Sequence, residues 1–189
     1  MSESLTIYVV GPTSSGKTTL LRQLISMSND DVLLIDQAHP VPTKGQELHT
    51  LTVKSAENKG SFRTVELREL GGDMAPLWEN FISMRLRSAG NNPHRFALMF
   101  VVDALSSHLL PLAYITFAKL RDDKGVCKDW PALILLNKVT GGNAMTRREA
   151  DFFLPTVADD GVELLAVDSW NGVGLMDTLM WIRKFAFSP

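Results

Sequence analysis

The chain has 189 residues, 45% of them hydrophobic and 21% charged, with a formal net charge of −2. That length can bury a sizeable core without staples, and the balance excludes both the apolar-poor composition of disorder and the basic surplus of a nucleic-acid binder. The single Cys127 cannot form an internal disulfide, and His39, His49, His94 and His108 show no metal-ligand spacing with it or with one another.

The N-terminal MSESLTIYVV lacks the basic flank and long apolar stretch of a secretion signal, and position 2 is Ser2 rather than the glycine that myristoylation requires. No apolar run approaches the roughly 20 residues that cross a bilayer, so a cytoplasmic location is expected. Leu5 to Val10 is a β-branched apolar run that reads as a strand; GPTSSGKT follows as a loop, and TLLRQLISM then places Leu20, Leu21 and Leu24 at helical spacing. DVLLIDQAHPVP has no clear pattern. Beyond it, ELHTLTVK and SFRTVELREL flank the turn-rich AENKG and read as a β-hairpin whose loop contains Gly60.

FALMFVVDA (Phe96 to Ala104), PALILLNK (Pro131 to Lys138) and VELLAVD (Val162 to Asp168) are continuous apolar runs, the pattern of strands covered on both faces. Helices are predicted over Leu109 to Arg121, with Pro111 near its start, and over Thr146 to Phe153. A last helix, LMDTLMWIRKFAF, puts Leu175, Leu179 and Ile182 on one face. NNPH (Asn91 to His94) and TGGN (Thr140 to Asn143) read as flexible loops. Strands alternating with helices imply a three-layer α/β fold with a mostly parallel sheet, and no composition shift divides residues 1–189, so one domain is expected.

The pattern Gly11-Pro-Thr-Ser14-Ser15-Gly16-Lys17-Thr18, between a strand and a helix, is that of a phosphate-binding loop, whose glycines let backbone N–H groups wrap phosphates at a helix N-terminus. Lys17 would reach the β and γ phosphates, the Thr18 hydroxyl would ligate Mg²⁺, and Thr19 would complete the cradle. The segment that reads the base is expected at Asn137-Lys138-Val139-Thr140, directly after an apolar strand. An Asn-Lys-x-Asp signature selects guanine because its aspartate accepts two hydrogen bonds from the base. Thr140 offers a single hydroxyl, so guanine selectivity should be weakened or supplied elsewhere.

In chain order, GPTSSGKTTL, VPTKG, ELGGDMAPLW, FVVDA, LLNK and GVGLMDTLMWI resemble the motifs of the Ras-like superfamily, and most closely the ADP-ribosylation-factor-like small GTPases. The resemblance runs from Leu5 to Phe187, and RELGGDMAPLW is most similar to a divergent subgroup with the same Arg-Glu-Leu-Gly-Gly run and a Pro-x-Trp after it. It implies a P-loop small GTPase fold in which residues 45–70 form one antiparallel interswitch hairpin that changes register on nucleotide exchange. It also implies bound GTP or GDP with Mg²⁺, and makes Thr43 the switch I threonine that meets Mg²⁺ and the γ phosphate.

The family's Asp-x-x-Gly-Gln here becomes Glu69, Gly72 and Asp73: a lengthened carboxylate for the Mg²⁺ shell, a glycine N–H for the γ phosphate, and a carboxylate where an amide should orient water. Asp73 cannot donate a hydrogen bond, so slow intrinsic hydrolysis is expected. Met74, Pro76, Leu77 and Trp78 form either a switch II face for effectors or, for Trp78, part of the core. Asp168-Ser169-Trp170 falls where the family has a Ser-Ala-Lys-like loop, with Ser169 the positional match for contact with the guanine oxygen.

Family members often carry an N-terminal amphipathic membrane helix. Here the first strand begins at about Leu5, so no direct membrane anchor is expected, and any association with membranes or cilia would come through partners. The implied protein is a monomeric switch in trafficking or ciliary processes, served by an exchange factor, an activating protein and effectors. Two other readings stand beside it: a nucleotide-bound interaction module without turnover, and a P-loop kinase using RREAD (Arg147 to Asp151) as an arginine-bearing lid.

Overall fold

The computed structural model describes residues 4–35, 38–55, 60–89, 94–154 and 161–188. Residues 56–59 of the hairpin loop, Asn91 to Pro93 of the NNPH loop, and positions 36 and 37 of the unpatterned segment lie outside the described residues.

β1 (Ser4–Val10) runs through the middle of a six-stranded sheet whose order is β2-β3-β1-β4-β5-β6, with β2 spanning Gln46–Lys54, β3 Phe62–Leu70, β4 His94–Asp103, β5 Ala132–Asn137 and β6 Val162–Ala166. β1 pairs in parallel with β3 and β4, and β4–β5 and β5–β6 are parallel too. The β2–β3 pair is antiparallel, in register from Gln46 opposite Leu70 to Lys54 opposite Phe62. This is the mostly parallel α/β sheet with one antiparallel hairpin that the sequence predicts.

Side-chain alternation explains the three layers, because neighbouring residues of a strand point to opposite faces. Leu5, Ile7 and Val9 of β1 enter one core with Leu20, Leu21 and Leu24 of α1 (Lys17–Asp30) and with Leu175, Leu179 and Ile182 of α5 (Leu175–Phe187). Tyr8 and Val10 enter the opposite core with Trp78 and Ile82 of α2 (Trp78–Ala89), Ala113 and Phe117 of α3 (Leu110–Arg121), and Ala150 of α4 (Arg147–Phe153). β4 and β5 are buried on both faces, which accounts for their unbroken apolar runs.

Several boundaries differ from the sequence reading for local reasons. β4 begins at His94, which belongs to the strand rather than to the NNPH loop. β5 stops at Asn137 because Lys138 turns with φ 66°, and β6 stops at Ala166, which frees Asp168 to open a loop. α4 starts where Thr146 caps it: its hydroxyl accepts from the Glu149 amide while the Glu149 carboxylate accepts from the Thr146 amide.

The sequence reading places no helix between Leu77 and the fourth strand, yet α2 lies there after a 3-10 turn over Gly72–Leu77. Trp78, Phe81, Ile82 and Leu86 recur at helical spacing and turn one face to the core, a stripe that the sequence reading passes over because it assigns this stretch to a switch segment; exposed Met84 lies off that face. Trp78 is 1% exposed, so the core reading of that residue holds and it is not an exposed effector contact. Leu77, at 53% exposed, Pro76 and Asp73 are the exposed residues of this turn.

Candidate functional site

The loops that leave the C-terminal ends of β1, β5 and β6 meet over the start of α1 and enclose a cavity of about 620 Å³, with Thr43, Glu69 and Gly72 on one wall. Such an end of a parallel sheet is where α/β folds place ligands. Gly16 precedes α1 with φ 92°, and a Cβ there would lie 2.3 Å from the Asn137 side chain, so only glycine fits this turn. The first amides of α1 lack intrahelical partners and point toward the cavity end, an arrangement suited to anions.

Lys17 is buried, and its Nζ donates to the carbonyls of Gly11 at 2.9 Å and Pro12 at 3.0 Å. Burial pushes its pKa down to about 8, against the opposing pull of the Glu69 and Asp73 charges. Ser14 takes a left-handed conformation with φ 65°, and its carbonyl receives Lys138 Nζ at 2.7 Å.

Thr18, Thr43 and Glu69 come from three separate segments and converge. Thr18 Oγ1 donates to Glu69 Oε1 at 2.7 Å, Thr43 Oγ1 donates to the same oxygen at 3.0 Å, and the two hydroxyls are 3.4 Å apart. Burial alone would raise the Glu69 pKa. His49, whose Nε2 lies 3.8 Å away, the two threonine hydroxyls and the Lys17 charge together hold the carboxyl below its ordinary value. Its second oxygen, Oε2, is buried without a hydrogen-bond partner. Two hydroxyls and the ionised Glu69 carboxylate, one of whose oxygens has no hydrogen-bond partner, are hard-oxygen donors of the kind that Mg²⁺ takes, so these residues fit the ion that the sequence expects.

Gly72 presses against the phosphate loop so closely that a Cβ would stand 2.2 Å from the Thr13 nitrogen. Asp73 is exposed at the start of the 3-10 turn and does not line the cavity, although its charge reaches Lys17. The segments that carry Thr43 and Gly72 are tied together by the Gly71 amide, which donates to the Gly45 carbonyl at 2.9 Å, and Trp78 Nε1 donates to the Gly71 carbonyl at 2.9 Å.

Behind the far wall Asn137 is wholly buried, and its side chain makes four hydrogen bonds. Its Nδ2 donates to the Ser15 carbonyl at 2.8 Å and to Ser169 Oγ at 3.1 Å, while its Oδ1 accepts from the amides of Lys138 and Ser169, each at 2.9 Å. Lys138 Nζ also pairs with Asp103 Oδ2 at 2.6 Å. Ser169 is buried beside the cavity with its amide committed to Asn137, and Thr140 donates its hydroxyl proton to Asp168 Oδ2.

The predicted residues Gly16, Lys17, Thr18, Thr19, Thr43, Glu69, Gly72, Lys138, Thr140 and Ser169 all line this one cavity. Sequence patterns gave no sign of His39, whose ring stacks on Trp170 at 5.2 Å, or of Asn171 as cavity residues, and named Asp168 only within the Asp168-Ser169-Trp170 segment, without a role. For Asp168 the signal available was its place beside Ser169, two residues past a strand end. The exposed Arg147 and Arg148 of α4 do not line the cavity, so the lid expected of a kinase is not formed by RREAD. No helix among the described residues is long and apolar enough to cross a membrane.

Comparison with known proteins gives a consistent picture. The ADP-ribosylation factor family model matches residues 1–186. Human ADP-ribosylation factor-like protein 16, the type of the divergent subgroup that RELGGDMAPLW resembles, is 27% identical over 180 residues, spanning 93% of this chain and 83% of its own length. Among solved structures, the Arl6 BBS3 small GTPase from Trypanosoma brucei with bound nucleotide analogue GppNp matches with a TM-score of 0.71 over 97% of both chains. At 21% identity that last likeness bears on the fold alone.

Proposed function

Because this chain belongs to the ADP-ribosylation factor family, we propose that, as a single domain, it binds GTP or GDP with Mg²⁺ in the cavity over α1 and acts as a molecular switch with slow intrinsic hydrolysis. The observation that carries this reading is the convergence of Thr18, Thr43 and Glu69 beside Lys17 at the start of α1. When bound, Mg²⁺ supplies neutralisation of charge on the β and γ phosphates. The chain's own residues do the rest. The loop from Gly11 to Thr19 offers backbone N–H groups and the Lys17 ammonium to the phosphates. Thr43 and Gly72 carry the presence of the terminal phosphate into the two switch segments.

Those segments are the surface that an exchange factor, an activating protein and effectors would read, and the family resemblance supports a role for such a switch in trafficking or ciliary processes. Identification of the nucleotide released from purified protein, followed by Mg²⁺-dependent affinities for GTP, GDP, ATP and xanthosine triphosphate, tests the reading. A preference for guanine nucleotides, lost in Lys17→Ala, is expected; a preference for ATP or no nucleotide binding at all would sink it.

A second reading, a nucleotide-bound interaction module without turnover, is favoured by one observation: Asp73 is an exposed carboxylate with no N–H to orient water or steady transition-state oxygens. Single-turnover hydrolysis separates the two. Asp73→Gln restores the amide and should accelerate a competent site, with an activating protein adding an arginine in trans. No cleavage by either form, with or without candidate activating proteins, favours the module.

A further inference from the structure

Guanine presents two neighbouring donors, N1–H and its N2 amine, at the edge where adenine presents an unprotonated N1. Selecting guanine therefore calls for two adjacent acceptor atoms, strengthened by negative charge. Thr140 cannot supply this alone, but the structure sets a carboxylate against it. Thr140 Oγ1 donates to Asp168 Oδ2, and Asn171 Nδ2 donates to Thr140 Oγ1 at 3.0 Å. Asp168 Oδ1 is held by the amides of Trp170 at 3.0 Å and Asn171 at 2.9 Å.

Asp168 is 4% exposed and lines the cavity together with Thr140 and Asn171. Burial alone would raise its pKa, but the hydrogen bonds from Thr140, Asn171 and Trp170 hold it below the ordinary value, so the group is ionised at neutral pH. The bonds above take three of a carboxylate's about four acceptor positions, with the Asn171 side chain also close to the group; the threonine oxygen, having given its proton to Asp168, keeps one lone pair. Two acceptors from different loops thus stand side by side, as the two oxygens of a single aspartate would.

We propose that Asp168 is the guanine-reading carboxylate of this chain, its Oδ2 accepting from the N2 amine while Thr140 Oγ1 accepts from N1–H. The charge that the Asn-Lys-x-Asp signature carries after β5 is here carried after β6. Adenine is rejected because it brings no amine to the carboxylate and its N1 lone pair would meet the threonine oxygen, whose proton is committed to Asp168. The inference rests on the guanine-nucleotide reading above and names the residue that gives that reading its selectivity.

The test compares affinities for GTP, xanthosine triphosphate and ATP, with Mg²⁺, across wild type, Asp168→Asn and the exchange Thr140→Asp/Asp168→Ser. Asparagine keeps an oxygen for the Trp170 and Asn171 amides, so the loop can hold its shape, while its amide now donates toward the 2-keto oxygen that xanthine has in place of the N2 amine. Asp168→Asn should bind GTP about 10- to 100-fold more weakly and xanthosine triphosphate more tightly than wild type. The double exchange should return guanine preference.

Unchanged GTP affinity in Asp168→Asn, or equal loss of both nucleotides, would assign Asp168 to loop shape only and overturn the proposal. So would a double exchange that binds GTP no better than Asp168→Asn. A wild type that ignores GTP or prefers ATP fails the switch reading itself, which is a separate outcome from either of these.

Discussion

Lys17 shows how a single residue is tuned by what the loop does to it. Its ammonium sits out of water against the Gly11 and Pro12 carbonyls, and burial brings its pKa down to about 8 in the nucleotide-free protein. Phosphate contact favours the charged form, so the pKa rises on binding and the protein takes up a proton. Calorimetry in buffers of different ionisation enthalpy should show uptake of about half a proton per nucleotide at pH 8 and more at pH 9; no uptake at either pH would mean that Lys17 does not meet phosphate. Cys127, the only cysteine, lies in the opposite core with burial pushing its thiol up to about 12. Alkylating reagents should therefore label it only after global unfolding, and fast labelling of folded protein would contradict that placement. Lys17, Thr18 and Gly16 were legible in the sequence because one contiguous loop carries them. Asp168 and Asn137 were not legible in their roles, because their partners lie 28 and as many as 122 residues away along the chain.

At the scale of elements, the strands were legible because both-face burial leaves an apolar run that no polar stripe interrupts, as in β4 and β5. α2 was missed although Trp78, Phe81, Ile82 and Leu86 give it a core-facing stripe, because it opens straight after Pro76 and the 3-10 turn, in a stretch read as a switch segment. That junction is held by the Trp78 indole, which donates to the Gly71 carbonyl and fixes where the 3-10 turn ends and α2 begins. Trp78→Phe keeps most of the buried ring and removes one of the two donors to that carbonyl, which keeps the Met74 amide at 3.1 Å. A loss of about 0.5–1.5 kcal/mol in urea unfolding is expected, and no measurable change would remove the bond from any stabilising role. The hairpin's register is set by Leu51 and Val53, which are buried, so a slide by one residue would turn them to solvent while a slide by two would not. A register change on nucleotide exchange must therefore come in even steps.

Across the whole molecule, the cavity is assembled from segments that only the folded sheet brings together, and an unfolded chain has no such site. Ligand that binds only the folded state stabilises it by mass action: saturation at 100 times the dissociation constant adds about 2.7 kcal/mol. For a protein of this size that corresponds to a rise in melting temperature of roughly 5–10 °C with Mg²⁺ and GDP, and a melting curve indifferent to both would contradict a preformed nucleotide cavity. The Asn137 amide has a further consequence for how such proteins are found. It clamps the loop after β5 to the loop after β6 and to the phosphate loop. A ligand meets one continuous wall and cannot tell which stretch of chain contributes a given oxygen. A charge can then migrate between those loops over generations while the surface it presents stays the same. Searches that index function by position along the chain will pass over such descendants, whereas a search by the chemistry of the assembled wall would keep them.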